Sequence, residues 1–108
     1  MAEKIIVKGV PASPGRVRGR VKVLRGPADV DKMREGDVLV AAETTPEYTL
    51  GILRAAAIVT DHGGILSHPA IVAREIGVPG VVGTGNATEL LRDDMEVTVD
   101  GDRGWVLT

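Results

Sequence analysis

The sequence predicts a mixed α/β domain built from many short elements, and three observations carry that expectation. The chain has 108 residues, enough for one domain with a real core and too few for two. It contains no Phe, one Trp and one Tyr, so Val, Ile, Leu and Ala must fill the core, which suits a sheet with short helices packed on it. Strand-like apolar runs alternate with two segments that carry helix start and stop signals.

Taken in order, Glu3 to Val10 reads as a strand with Ile5 and Val7 on one face, and Pro11 to Gly15 as a turn or loop. Arg16 to Leu24 alternates, with Arg16, Arg18, Arg20 and Lys22 on one face, Val17, Val21 and Val23 on the other, and Gly19 as a candidate bulge. Asp29 to Arg34 reads as a short helix, and Gly36-Asp37 leads into a strand from Val38 to Ala42. Thr45-Pro46-Glu47 is a helix start (hydroxyl N-cap, proline at the first helical position, then an acid), and that helix is predicted to reach about Ala55. Ala57 to Thr60 reads as a buried strand and Asp61 to Gly64 as a turn. Pro69 to Ile76 reads as a second helix, stopped by Gly77 with Pro79 just beyond. A short strand Val81-Val82, a loop Gly83 to Asn86 and a helical turn Ala87 to Leu91 follow. Glu96 to Val99 and Trp105 to Leu107 close the chain as a hairpin.

Composition excludes several function classes. The formal net charge of -2 does not suggest a nucleic-acid binder. The absence of Cys excludes disulfides, thiolate metal sites and Cys nucleophiles. No apolar run approaches the roughly 20 residues of a membrane span, and Met1 to Lys8 lacks the apolar core of a signal peptide. A cytoplasmic setting is the default expectation.

Reactive residue types concentrate in Thr60 to Pro69. Pro69 disfavours α geometry at the residue before it, so His68 is predicted at the N-cap of the second helix. Its side chain would lie beside free backbone N–H groups and the positive end of the helix dipole, a location that favours an attached anion. A neutral imidazole is a nucleophile, and a phosphoryl group on it would be stabilised there. Gly63 and Gly64 would let a donor phosphate approach the backbone closely. From spacing alone, an ordinary helix-capping role for His68 stands level with this reading.

The other motifs are weaker. His62 reads as an exposed turn residue. A metal site from Asp61, His62 and His68 lacks both Cys and a third His. A Ser67–His68–Asp61 triad lacks the G-x-S-x-G elbow, and adjacent Ser and His seldom reach each other correctly. Gly83-Thr84-Gly85 lacks the third glycine and the Lys-Ser/Thr pair of a phosphate loop and reads as a turn. The Arg16/Arg18/Arg20/Lys22 row reads as a solvated face, with a docking surface for an acidic partner as the alternative. Tyr48 and Trp105 read as packing residues. Thr44, Thr45 and Thr49 read as helix-start residues, and spacing does not say whether their hydroxyls face the His68 loop.

Three stretches together resemble one known family. They are Ala55-Ala-Ala-Ile-Val-Thr-Asp-His-Gly-Gly, Leu66-Ser-His, and Ala70-Ile-Val-Ala-Arg-Glu-Ile-Gly-Val-Pro-Gly-Val-Val-Gly-Thr-Gly-Asn-Ala-Thr. They are flanked by Ala12-Ser-Pro-Gly, Gly36-Asp-Val-Leu-Val and Val97-Thr-Val-Asp-Gly. The combination is similar to the phosphohistidine swivelling, or mobile, domain of phosphoenolpyruvate-utilising enzymes, a group that includes phosphoenolpyruvate synthase, pyruvate phosphate dikinase and enzyme I of the sugar phosphotransferase system. The resemblance covers nearly the whole chain. It implies a compact three-layer β/β/α fold and makes His68 the phosphorylated residue, usually through Nε2. It further implies that Thr60, Asp61, Gly63, Gly64 and Ser67 shape the loop around it.

By the same resemblance, the phosphoryl group would shuttle between a nucleotide-binding partner and a barrel that handles phosphoenolpyruvate or pyruvate. Mg and ATP or phosphoenolpyruvate would sit on those partners, with no cofactor or metal on this domain, and neither nucleic acid nor membrane would be a partner. Two positions depart from the family pattern: Leu66 where many members have Thr, which removes a hydroxyl near the imidazole, and Pro69 where many have Ala. A chain of this length holds no nucleotide domain and no barrel, so it reads as a carrier subunit or as part of a larger enzyme. A competing expectation is an interaction or regulatory module that keeps the fold without being phosphorylated.

Overall fold

A computed structural model describes residues 3–108. Eight strands run in the order β1-β8-β7-β3-β4-β5-β6-β2, and one long strand divides them into two sheets. That strand is β3 (Arg16–Leu24). Its first half pairs antiparallel with β7 (Glu96–Asp100), and its second half pairs parallel with β4 (Asp37–Ala41). Beyond β7 lie β8 (Trp105–Leu107) and β1 (Ile5–Lys8), both antiparallel. Beyond β4 lie β5 (Ala55–Thr60) and β6 (Gly80–Val82), both parallel, and then β2 (Val10–Ser13), antiparallel at the edge.

Strand alternation sorts the side chains into layers. On β4, Val38 and Val40 enter the cluster between the two sheets, while Leu39 and Ala41 enter the cluster beneath the helices. On β5, Ala57 and Val59 take the first side and Ala55 and Ile58 the second. Val97, Val99 and Val106 close the first cluster from the opposite sheet. The helices α1 (Thr49–Arg54) and α2 (His68–Ile76) and a 3-10 helix, Pro27–Lys32, supply Ile52, Ala73 and Val30 to the second. The architecture is therefore the β/β/α sandwich that the resemblance implies.

Four local expectations are corrected. The run from Glu3 to Val10 is not one strand: it breaks at Gly9, whose N–H donates to the Gly104 carbonyl (2.8 Å), and the two pieces join different sheets. Residues 11–13, expected as loop, belong to β2, where an edge position tolerates Pro11 without an N–H. Gly19 makes no bulge. Its register against β7 is regular, and the missing side chain instead admits the Gly36 carbonyl, which a Cβ would meet at 2.6 Å. The segment after Thr45 begins as a 3-10 turn, Pro46–Tyr48, before α1, and the Thr45 hydroxyl is buried without a hydrogen-bond partner instead of capping.

Candidate functional site

β5 ends at Thr60, and the next seven residues carry the chain from the sheet to the first turn of α2. The loop is fixed by its backbone. The N–H groups of Asp61 and His62 donate to the carbonyls of Ala41 (3.1 Å) and Ala42 (2.9 Å), extending the β4–β5 pairing. Thr60, fully buried, donates its hydroxyl to the His62 carbonyl (2.7 Å). Gly63 then turns at φ 119, a left-handed conformation that favours glycine, and a Cβ there would meet Ser67 Oγ at 2.6 Å. The Gly64 carbonyl accepts from both the N–H (3.0 Å) and the hydroxyl (2.7 Å) of Ser67, closing the turn that delivers α2.

Ser67, not His68, is the N-cap of α2; its carbonyl accepts from the Ile71 N–H (3.0 Å). His68 is the first helical residue and Pro69 the second. A missing N–H costs nothing there, because the first-turn N–H groups have no intrahelical partner. The helix ends as the sequence predicts, with Gly77 left-handed (φ 78) and its N–H on the Ala73 carbonyl. His68 is exposed, while Pro69 and Ala70 directly after it are buried, so the imidazole stands on an anchored turn.

The imidazole is oriented by Thr44, whose Oγ1 lies 2.8 Å from Nδ1. Thr44 is buried, in the segment between β4 and the Pro46–Tyr48 turn. Among the described residues this is the ring's only hydrogen bond, which leaves Nε2 free. His68 opens on a cleft of about 120 Å³ lined by Glu43, Thr44, His62, Gly63 and Ser67. A larger cleft, about 270 Å³, lies elsewhere, between Arg25, Lys32 and Arg92, and does not include His68.

The sequence-predicted residues divide accordingly. Gly63, Ser67 and His68 come together at the cleft. Thr60 shapes the loop from beneath. Asp61 does not face the cleft; it is buried, and its two carboxylate oxygens accept from the N–H (2.9 Å) and hydroxyl (2.5 Å) of Thr88 on α3 (Ala87–Leu90). A Cβ on Gly64 would meet nothing within 4 Å, so that glycine serves through its carbonyl rather than through close packing. No three His, Asp or Glu side chains among the described residues cluster to hold a metal ion.

The sequence reading left one contributor open and missed another. Thr44 is 24 residues from His68, and only folding brings the two together. Arg74, on α2, donates to the carbonyls of Ala12 (2.8 Å) and Ile65 (2.6 Å), tying the helix both to β2 and to the loop tip. A helical arginine between Ala73 and Glu75 gives no local sign of this.

A β/β/α sandwich that presents a histidine at the first turn of a helix, above a parallel strand edge, defines a class of small swivelling domains. The family model for the mobile domain of PEP-utilising enzymes matches residues 33–104, and the chain belongs to that family. The phosphoenolpyruvate synthase of Aeropyrum pernix is 56% identical over 104 residues, covering 95% of this chain but only 13% of the relative's length. The solution structure of Enzyme I (nEIt) superposes with a TM-score of 0.61 at 37% identity, covering 71% of this chain and 32% of that one. The crystal structure of Thermococcus kodakaraensis aconitase X in its holo-form superposes at 0.67 over 98% of this chain and 97% of that one; at 20% identity that likeness speaks to the fold alone.

Proposed function

We propose that this domain is a phosphoryl carrier that accepts and donates a phosphoryl group on His68 Nε2. The observation that carries the proposal is the exposed imidazole held at Nδ1 by Thr44 with Nε2 left open. For Nε2 to present a lone pair, Nδ1 must hold the ring proton, so Nδ1–H donates and the Thr44 hydroxyl accepts. In the forward step the Nε2 lone pair attacks the donor's phosphorus. The N–P bond forms as the donor's P–O bond breaks, and the donor oxygen leaves with the bonding pair. Nδ1 keeps its proton throughout and becomes a stronger donor to Thr44 as the phosphorylated ring gains positive charge. The N-terminal turn of α2 and the loop glycines suit the phosphate oxygens.

Donor and acceptor sites are proposed to lie on partner domains or subunits: a nucleotide-binding unit with Mg and ATP, and a barrel for phosphoenolpyruvate or pyruvate, in the cytoplasm. The family and the chain's small share of its relatives' length support this division. The test is labelling with a matching partner and radioactive donor, followed by phosphopeptide mapping at neutral to alkaline pH. His68→Ala is expected to lose the label completely while keeping the wild-type unfolding midpoint, since the side chain is exposed. Thr44→Val is expected to slow labelling roughly tenfold, with Thr44→Ser restoring it, as for loss of one orienting hydrogen bond. An acid-stable label, or one that survives His68→Ala, overturns the assignment and points to another acceptor such as Ser67 or a threonine; no label at all with a matching partner favours the unphosphorylated module.

A further inference from the structure

The cleft that would receive the phosphoryl group is poor in positive charge. Among the described residues, its only ionisable lining residues are Glu43, His62 and His68, and none is Lys or Arg. The nearest arginine in sequence, Arg74, has both terminal nitrogens on backbone carbonyls. A phosphoryl group brings about two negative charges near neutral pH. Glu43, on the segment after β4, opposes that charge. Buried Asp61 beside His62 is occupied by Thr88. Besides the backbone N–H groups of the loop and helix start, His62 is the one ionisable side chain of the cleft left to answer it.

His62 is placed for that task. Its backbone is pinned on both sides, N–H to the Ala42 carbonyl (2.9 Å) and carbonyl to the Thr60 hydroxyl (2.7 Å). The residue is exposed, and its ring makes no hydrogen bond among the described residues. A side chain with a fixed root and a free head can turn towards a new charge at little conformational cost. Imidazole is also the side chain whose charge ordinarily changes between about pH 5 and 8.

We propose that His62, as imidazolium, is the counter-charge for the phosphoryl group carried on His68, so that the domain holds its phosphoryl group more tightly below neutral pH than above it. This rests on His68 being the carrier. No covalent bond is made or broken at His62; it acts by charge and by an N–H donated to a phosphate oxygen.

The test uses the full chain and N-phosphorylimidazole, without any partner. Phosphoryl exchange between free imidazole and His68 conserves the N–P bond, so its equilibrium, read by phosphorus NMR, reports what the protein adds. Variants are compared with wild type at the same pH, which cancels the titration of free imidazole. At about pH 6 and low salt, His62→Gln is expected to hold the phosphoryl group roughly two- to fivefold less well than wild type, the size of a screened surface pair. At about pH 8.5 the two should agree. His62→Lys should match wild type at the lower pH and exceed it at the higher. About 1 M salt should erase the differences. If His68 is labelled but wild type and His62→Gln agree at the lower pH, the counter-charge is overturned and the carrier reading stands. If His68 takes no label, or His62 takes it instead, both fall.

Discussion

The two faces of the sheet formed by β2 to β6 differ in kind. Between the sheets, ten of the thirteen buried residues are Val, which is stiff at χ1 and packs on a pleated surface with little freedom. On the other face the buried set mixes Leu, Met, Tyr, Ile and Ala beneath helices of six and nine residues. That layer also leaves Leu50, Leu53 and Leu66 at 58%, 61% and 84% exposure. The first layer is a rigid slab with no chemistry. The second includes α2, whose first turn brings His68 and Pro69 to the cleft beside the loops that follow β4 and β5. Because the loop from Thr60 to His68 grows directly from β5, the slab supplies the fixed frame against which the reactive imidazole is positioned.

The comparison can be broken at its strongest point first. Val40→Ala empties a fully buried site between the sheets and is expected to cost about 2–3 kcal/mol, read as a lower urea midpoint, while leaving the His68 loop intact. Survival of labelling in the folded fraction would confirm that the slab acts only as support. Gly63→Ala reverses the pattern. The positive φ and the approach to Ser67 predict a cost of about 1–3 kcal/mol, concentrated in the loop, so labelling should fall by more than the midpoint implies. Equal losses in both would mean that loop and slab unfold as one unit.

The smallest effect concerns acid. Asp100, at the end of β7, is buried, and burial alone would push its carboxyl up. Hydrogen bonds from the Arg103 guanidinium and the N–H groups of Arg103 and Asp102 outweigh that and hold it below its ordinary value. A folded value below the unfolded one means stability that is present above about pH 4 and is lost as pH falls through the folded value. Asp100→Asn should therefore flatten the acid limb of a urea-midpoint profile and leave the cleft untouched. An unchanged acid limb would show that other carboxylates dominate it.

How much was legible depended on whether the signal was local. The hairpin of β7 and β8, the Gly77 stop of α2 and the alternation of β3 follow from residues a few positions apart, and all are found. The break at Gly9 was not legible, because Ile5 to Val10 suits a strand throughout, and only pairing with two different partners divides it. The N-cap of α2 was misplaced by one residue. The conformational bias from Pro69 is real but weaker than the turn that Ser67 makes with Gly64.

The sequence by itself determined a mixed α/β domain, through strand-like apolar runs set between segments with helix start and stop signals, while the three layers came from its family resemblance; it also marked His68 as a candidate, through a glycine pair, a proline and a helix stop in one short run. Only the tertiary structure decided which nitrogen of that histidine is open, because Thr44 reaches Nδ1 from another segment. It likewise turned Asp61 away from the cleft and onto α3. The reason is physical: propensity and turn chemistry act between near neighbours in the chain. A side-chain hydrogen bond depends on where two distant segments are set down, and that is fixed by the packing of the sheet beneath them.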